Sequence, residues 1–332
     1  MRWLWIALCL GAPLLAAADE ELDIPGLDAA DLRGDAMIWE DATIYLEPYE
    51  SSASVRFNVF SRRRDQVGQA IPVRIIDSSL KHFVEIEAPG RGDCTWRKLD
   101  VDPRLEGLRM FVRREDLAPV LIKPYEMKWS DGTRLKLAIG IPVMPTSTGD
   151  YVVGLKQDKV RVAIPHASVG YLYKGGKITD PEPIKEKSAL VSRGASVKLG
   201  DEGFQVRSNW YGPAPDRRSE TALVKLTARC LEMVISAPVS NFRVTEPPRL
   251  IPSALPPLPP ITGWKIPTGT PLMTPSGREV AVAAKDLGVP LAAPAPEQVC
   301  FEARFAMLRE DETYGTLSRT VRLCAPGSAV TK

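Results

Sequence analysis

At 332 residues the chain exceeds what one hydrophobic core normally serves, so two to four modules are expected. Its formal charge of +2 becomes +1 once the lone Arg2 is set aside with the leader described next, and so even a balance argues against a general nucleic-acid binder. Thirty prolines beside the apolar runs exclude long helices and cut the chain into short segments.

Residues 1–18 start with Met1-Arg2, continue as an apolar stretch over 3–15 and end in Ala16-Ala17-Ala18 ahead of Asp19-Glu20-Glu21. One positive charge, an apolar segment and a small-residue site form a cleavable export signal, with cleavage expected after Ala18. The segment is shorter than the roughly 20 residues a spanning helix needs, and Pro13 interrupts it. Leu8 before Cys9 does not fit lipid attachment. Charged residues or prolines break every later apolar run, so no membrane span is expected in the mature protein.

Between residues 19 and 50 eleven acidic residues face the single Arg33, while the next seventy residues carry excess arginine and lysine. Residues 19–38 therefore read as an acidic, solvated, flexible arm, with a docking arm as the alternative.

Residues 39–122 read as the first β module. Ala42-Thr43-Ile44-Tyr45-Leu46-Glu47-Pro48 opens it, and Ile71-Pro72-Val73-Arg74-Ile75-Ile76 and Phe83-Val84-Glu85-Ile86 alternate as middle strands. Cys94-Thr95-Trp96-Arg97-Lys98-Leu99 is a tryptophan-bearing strand, and Gly107-Leu108-Arg109-Met110-Phe111-Val112 with Asp116-Leu117 closes the module. This order resembles the bacterial SH3-like family, small five-stranded barrels of exported cell-envelope proteins. The resemblance implies binding to cell-wall polymer or to an exported protein partner, and not catalysis. Two departures are an insertion over 61–68 with Arg62, Arg63 and Arg64, and a glycine-containing loop over 89–93.

Residues 123–245 form the middle β module or modules, with strand-like alternation at 135–139, 151–155, 160–164 and 223–226 and a sub-boundary at 177–187. Lys174-Gly175-Gly176-Lys177 reads as a hairpin turn. Trp210 and Tyr211 precede the turn-rich 212–218 and are expected on a loop tip beside Arg217 and Arg218. There they form a contact surface for protein or glycan, or cap a barrel end. Gly140-Ile141-Pro142-Val143-Met144, followed by Gly149, echoes Gly269-Thr270-Pro271-Leu272-Met273, followed by Gly277, as a duplicated hairpin would. Seven prolines make 246–261 an extended connector.

The C-terminal module, 262–332, holds the strongest local signal. If Cys300 faces Cys324, then Phe301 lies opposite Leu323, Glu302 opposite Arg322 and Ala303 opposite Val321, so one face is apolar and the other carries a charge pair. That register predicts a Cys300–Cys324 disulfide. Cys94 and Cys230 are left for each other, unless one is a buried free thiol. An even number of cysteines after leader removal suits an oxidising compartment.

Catalytic patterns are sparse. His82 and His166 belong to no metal-ligand spacing, the cysteines show no Cys-x-x-Cys, and no Gly-x-Ser-x-Gly elbow or phosphate-cradling glycine loop occurs. No metal and no cofactor is expected. Arg62, Arg63 and Arg64, with Arg56 nearby, are candidates for holding an anionic polymer, against the plainer reading of a solvated loop. The sequence thus predicts an exported, all-β protein of tandem small barrels or sandwiches joined by Pro-rich connectors. It is expected to act by binding cell-wall polymer or an exported protein, in the periplasm or secreted. An envelope hydrolase with an unrecognised carboxylate site and a structural subunit of a surface assembly are the alternatives.

Overall fold

The computed structural model describes Ile24, Leu27 and residues 31–57, 70–88, 90, 94, 97–146, 148–155, 158–174, 188–206, 210–213, 220–228, 230–245, 263–289, 297–309 and 317–332. The leader, most of the 174–177 turn and the 246–261 connector lie outside them. The all-β expectation holds: among the described residues no helix reaches seven residues, one sheet is nearly closed into a barrel and another forms half of one.

One strand plan recurs four times along the chain. The first unit runs β1 (Gly34–Trp39), the hairpin β2 (Ile44–Tyr45) and β3 (Ser54–Val55), β4 (Ala70–Asp77) and β5 (Phe83–Glu87). It continues with β6 (Arg97–Val101), β7 (Leu105–Glu106), β8 (Arg109–Arg113), a single 3-10 turn at Arg114–Asp116, and β9 (Leu117–Ala118). The opening strand β1 pairs with both β4 and the closing strand β9, and β2 of the hairpin pairs with β8.

The second unit has β10 (Val120–Leu121), the hairpin β11 (Tyr125–Lys128) and β12 (Arg134–Leu137), then β13 (Val143–Pro145), β14 (Tyr151–Leu155) and β15 (Asp158–Val162). A 3-10 turn at His166–Ser168 leads into β16 (Val169–Gly170), which pairs back to β10. The third has β17 (Ser188–Val191), the hairpin β18 (Ser196–Leu199) and β19 (Glu202–Gln205), β20 (Trp210–Pro213), β21 (Thr221–Ala228) and β22 (Leu231–Pro238). Its turn at Val239–Asn241 precedes β23 (Phe242–Thr245), and β17 pairs with both β20 and β23. The fourth has β24 (Lys265–Ile266), the hairpin β25 (Pro271–Met273) and β26 (Glu279–Ala283), β27 (Leu287–Gly288), β28 (Gln298–Arg309) and β29 (Leu317–Pro326). After the turn at Gly327–Ala329, Thr331 bridges back to Lys265 of β24.

The recurring turn has a local cause. Pro165, Pro238 and Pro326 precede three of the four, at φ between −58° and −55°, the value the ring imposes; Arg113 takes −68° in the first. In each, the residue after the turn donates its N–H to the carbonyl of the turn's first residue, which aims the chain back at the opening strand. Alternation does the rest: in β22, Leu231, Met233, Ile235 and Ala237 point into the core while Glu232, Val234 and Ser236 are half-buried.

The units are not separate beads. After β5, Gly90 passes so near β4 that a Cβ there would sit 2.3 Å from a backbone atom of Val73, and the chain then leaves the first sheet. Strands β6 and β7 pair with β28 and β26 of the fourth unit, giving the order β6-β28-β29-β25-β26-β7. Both edges of that sheet are therefore covered by one segment of the first unit. The second unit gives a strand away in the same manner, because β12 pairs with β22 of the third unit, Leu135 facing Met233.

Three expectations need correction. The segment 97–99, read as a strand of the first barrel, belongs to the fourth unit's sheet, because alternation announces a strand without announcing its partner. Of the acidic arm 19–38, residues 19–23, 25–26 and 28–30 lie outside the described residues; in the remainder Ile24, Leu32, Ala36, Met37 and Ile38 are buried and β1 sits inside the first sheet, so that part is not a solvated tail. Trp210 and Tyr211 lie on β20, paired with Val191 and Leu190, and not on a loop tip.

Candidate functional site

The ordered polar chemistry of the described residues gathers where units meet. The hairpin turn of the fourth unit runs Thr274-Pro275-Ser276-Gly277-Arg278, with the Thr274 N–H donating to the Arg278 carbonyl at 2.8 Å and Gly277, at φ +96°, donating to the Thr274 carbonyl at 2.9 Å. A positive φ at that position suits glycine. The turn presents Ser276 and Arg278 to the first unit. Ser276 donates its hydroxyl to the buried Glu47 carboxylate, and Arg278 reaches the Leu46 carbonyl at 3.3 Å and Glu85 at 3.4 Å while stacking 4.4 Å from the Phe111 ring centre. Burial pushes the Glu47 carboxyl up, but hydrogen bonds from Ser276, Tyr49 and Thr274 and the charge of Arg278 outweigh it and hold the group below its ordinary value.

A second junction forms at the turn between β6 and β7. The Asp102 side chain is fully buried and accepts from the Arg104 N–H at 3.2 Å, from Arg104 Nε at 2.8 Å and Nη2 at 2.7 Å, and from the Arg304 N–H at 3.2 Å. Burial opposes its charge, and the bidentate guanidinium overcomes that to keep the carboxyl below its usual range. Arg304 belongs to β28, so this one carboxylate ties the first unit's segment to the fourth unit.

Between the second and third units, Glu232 on β22 accepts from Arg134 of β12 and from Lys225 of β21; burial pushes it up, and the Lys225 hydrogen bond with the neighbouring cations brings it down. Thr133 accepts the buried Gly200 N–H at 2.7 Å, and Gly200 packs so near the Trp129 indole that a Cβ would stand 2.2 Å from its ring nitrogen. Within the first unit the buried Arg114 guanidinium donates to the carbonyls of Leu80, Ser78 and Leu27, the last belonging to the acidic segment.

Asp286, held by Lys265 at 2.7 Å, and Asp77 and Asp131, held by Ser79 and Thr133, also move downward. Each of these six carboxylates, all among the described residues, is thus held toward its charged form.

No family model, curated protein or solved structure matches this chain.

The histidines sit apart. His82 offers its carbonyl to the Arg114 N–H at 3.0 Å, and His166 opens the second unit's 3-10 turn with Nδ1 2.5 Å from the hydroxyl of the buried Tyr151. Among the described residues no three His, Cys, Asp or Glu side chains converge as metal ligands, and no helix is long and apolar enough to cross a membrane.

Both disulfides form as read from the sequence. Cys300 and Cys324 face each other with Phe301 opposite Leu323, Glu302 opposite Arg322 and Ala303 opposite Val321. Cys94 and Cys230 join the first unit to the third across 136 residues. Two bridges fit an oxidising, extracytoplasmic compartment.

Of the expected contact residues, Arg62, Arg63, Arg64, Arg217 and Arg218 lie outside the described residues, and Trp210 and Tyr211 stand on β20. Arg56 is exposed, and its carbonyl receives Arg319 Nε of β29 at 3.2 Å. The junction residues Glu47, Arg278, Asp102 and Arg104 escaped the sequence reading. The Asp102-Pro103 dipeptide, a turn initiator, was the available signal for one of them.

Proposed function

We propose that the protein is an exported, non-enzymatic scaffold of the cell envelope, periplasmic or secreted, that binds peptidoglycan or another exported protein. The observation that carries this reading is the fourfold use of one small β unit, with units locked by exchanged strands, the Cys94–Cys230 disulfide and paired carboxylates. Such a body offers repeated surfaces in fixed relation, which suits a partner that is itself repetitive or extended. The resemblance of the first unit's sequence to SH3-like domains points the same way, since that resemblance implies binding and not catalysis.

Incubation with purified sacculi tests it. Pelleting of the protein without soluble muropeptides supports a binder, release of fragments replaces it with a hydrolase, and failure to pellet moves the partner from polymer to protein.

A further inference from the structure

Where β12 of the second unit joins the third, the shared sheet turns one face to the core, with Leu135, Val224, Met233 and Ile235 buried, and the other outward. Directly opposed residues share a face, so the register sets out the outer one in rows. The middle row runs Lys128, Arg134, Val234, Lys225 across four strands, from β11 through β12 and β22 to β21. On one side of it lie Glu126, Lys136 and Glu232, and on the other Lys198, Ser236 and Leu223.

Two carboxylates serve four cations here. Glu126 meets Lys128 at 3.2 Å and Lys136 at 3.8 Å, and Glu232 meets Arg134 and, at 2.8 Å, Lys225. The exposed Lys198 is a fifth cation, whose charge acts on Asp131 of the adjoining turn. Five cations against three carboxylates leave an excess of positive charge, on a surface where the Lys128 and Lys225 side chains are 67% and 50% exposed. Lys128 directly opposite Arg134 sets like charge against like, an arrangement that costs cross-strand stability and that the core face does not require. An anion arriving from outside turns that cost into attraction.

We infer that this outer face docks an acidic segment of a partner protein. Charge complementarity fixes the sign of the occupant, and the apolar residues fix its class. Leu223, 52% exposed, and the half-buried Val234 lie among the cations, as apolar residues do at the centre of a protein interface, while none of the residues in the three rows is aromatic, so a sugar finds no ring to stack on. Four strands at the usual spacing span only about 14 Å, well short of a standard protein interface, which suits a short segment held weakly by salt-sensitive contacts. The inference deepens the scaffold reading and rests on it only for the partner being a protein.

The test titrates the full-length oxidised protein into a fluorescein-labelled nonapeptide, Glu-Glu-Leu three times over, and into the same peptide with lysine for glutamate, with unlabelled polygalacturonate as a carboxylate polymer competitor. Anisotropy should show the glutamate peptide binding and the lysine peptide not, with affinity falling as salt rises from about 0.05 to about 0.5 M. Lys128→Glu combined with Lys225→Glu should weaken the glutamate peptide about tenfold and the corresponding pair of glutamine substitutions less, whereas Lys81→Glu, at an exposed cation of the first unit, should leave it unchanged. Equal losses in Lys81→Glu and in the double variant would mean attraction to overall charge and overturn the inference. So would affinity unmoved by either double variant, or no binding of the glutamate peptide at all. Polygalacturonate displacing the peptide at equal carboxylate concentration would put an anionic polymer in place of the protein segment and overturn it too. Pelleting with sacculi is measured on the same proteins, and a parent protein that pellets without binding the peptide marks failure of this inference alone.

Discussion

The second and fourth units share one strand plan and meet opposite fates. The fourth receives β6 and β7 from the first unit and has both sheet edges covered; the second gives β12 to the third, and its β15 pairs with β14 alone among the described strands. Units of some sixty residues bury too little surface to be robust alone. Exchanging strands lets neighbouring sheets share one core, and accordingly the buried residues of all four units fall mainly into a single cluster.

The largest expected effect probes the donor segment's anchor. Replacing Cys94 and Cys230 together by serine frees a loop of 136 residues and should cost roughly 5 kcal/mol by loop-closure entropy, against roughly 3.5 kcal/mol for the Cys300 and Cys324 pair at separation 24. Denaturant unfolding of both double variants gives the ranking, and the reverse order would mean that the long bridge constrains little.

Next comes Asp102→Ala, which strands the Arg104 guanidinium and the Arg304 N–H and should cost about 3–5 kcal/mol, with protection lost first over 298–309. The same carboxylate sets a pH dependence. Its folded value is depressed below the ordinary value near 3.9, so its contribution is complete above that value and fades as pH falls through the folded one. Acid titration of stability should show a shallower acid limb in Asp102→Asn than in the parent protein.

At the junction of the second and third units, Thr133→Ala leaves the Gly200 N–H without its acceptor and should cost about 1–3 kcal/mol, read as a lower thermal midpoint. Leu223, 52% exposed on β21, sets the floor: its change to alanine should shift stability by no more than about 0.5 kcal/mol.

The C-terminal hairpin was readable because its residues alternate over a long run and one register satisfied a disulfide, a charge pair and two apolar pairs together. The echo between Gly140 and Gly269 was readable too, but for a narrower reason than duplication. Residues 146–150 and 274–278 share one turn, each with a positive-φ glycine, at Gly149 and Gly277, and a bond between hydroxyls, Thr146 with Thr148 and Thr274 with Ser276. The turn at 129–133, with Gly132 at φ +84°, repeats its backbone bonds without any sequence echo. Strand exchange was not readable. Arg97–Val101 alternates like any strand, and only the three-dimensional neighbour decides that Leu99 faces Met307 and not a residue of the first sheet. The acidic segment misled in the opposite way, because its charges concealed the spacing of Ile24, Leu27 and Leu32, of which Ile24 and Leu32 are buried and Leu27 is packed against the core. Junction carboxylates such as Asp102 and Glu47 have no sequence signature beyond a turn nearby, since the partners that make them junctions, Arg304 and Ser276, lie some two hundred residues away.

Hydrogen exchange of the oxidised, full-length protein, followed by mass spectrometry at peptide resolution, tests strand exchange most directly. Residues 97–101 should exchange as slowly as 298–309 and open with them in one cooperative step as denaturant rises. Fast exchange over 97–101 while 298–309 and 317–326 stay protected would show the fourth sheet standing without the first unit's strand, and the interlocked architecture would fall.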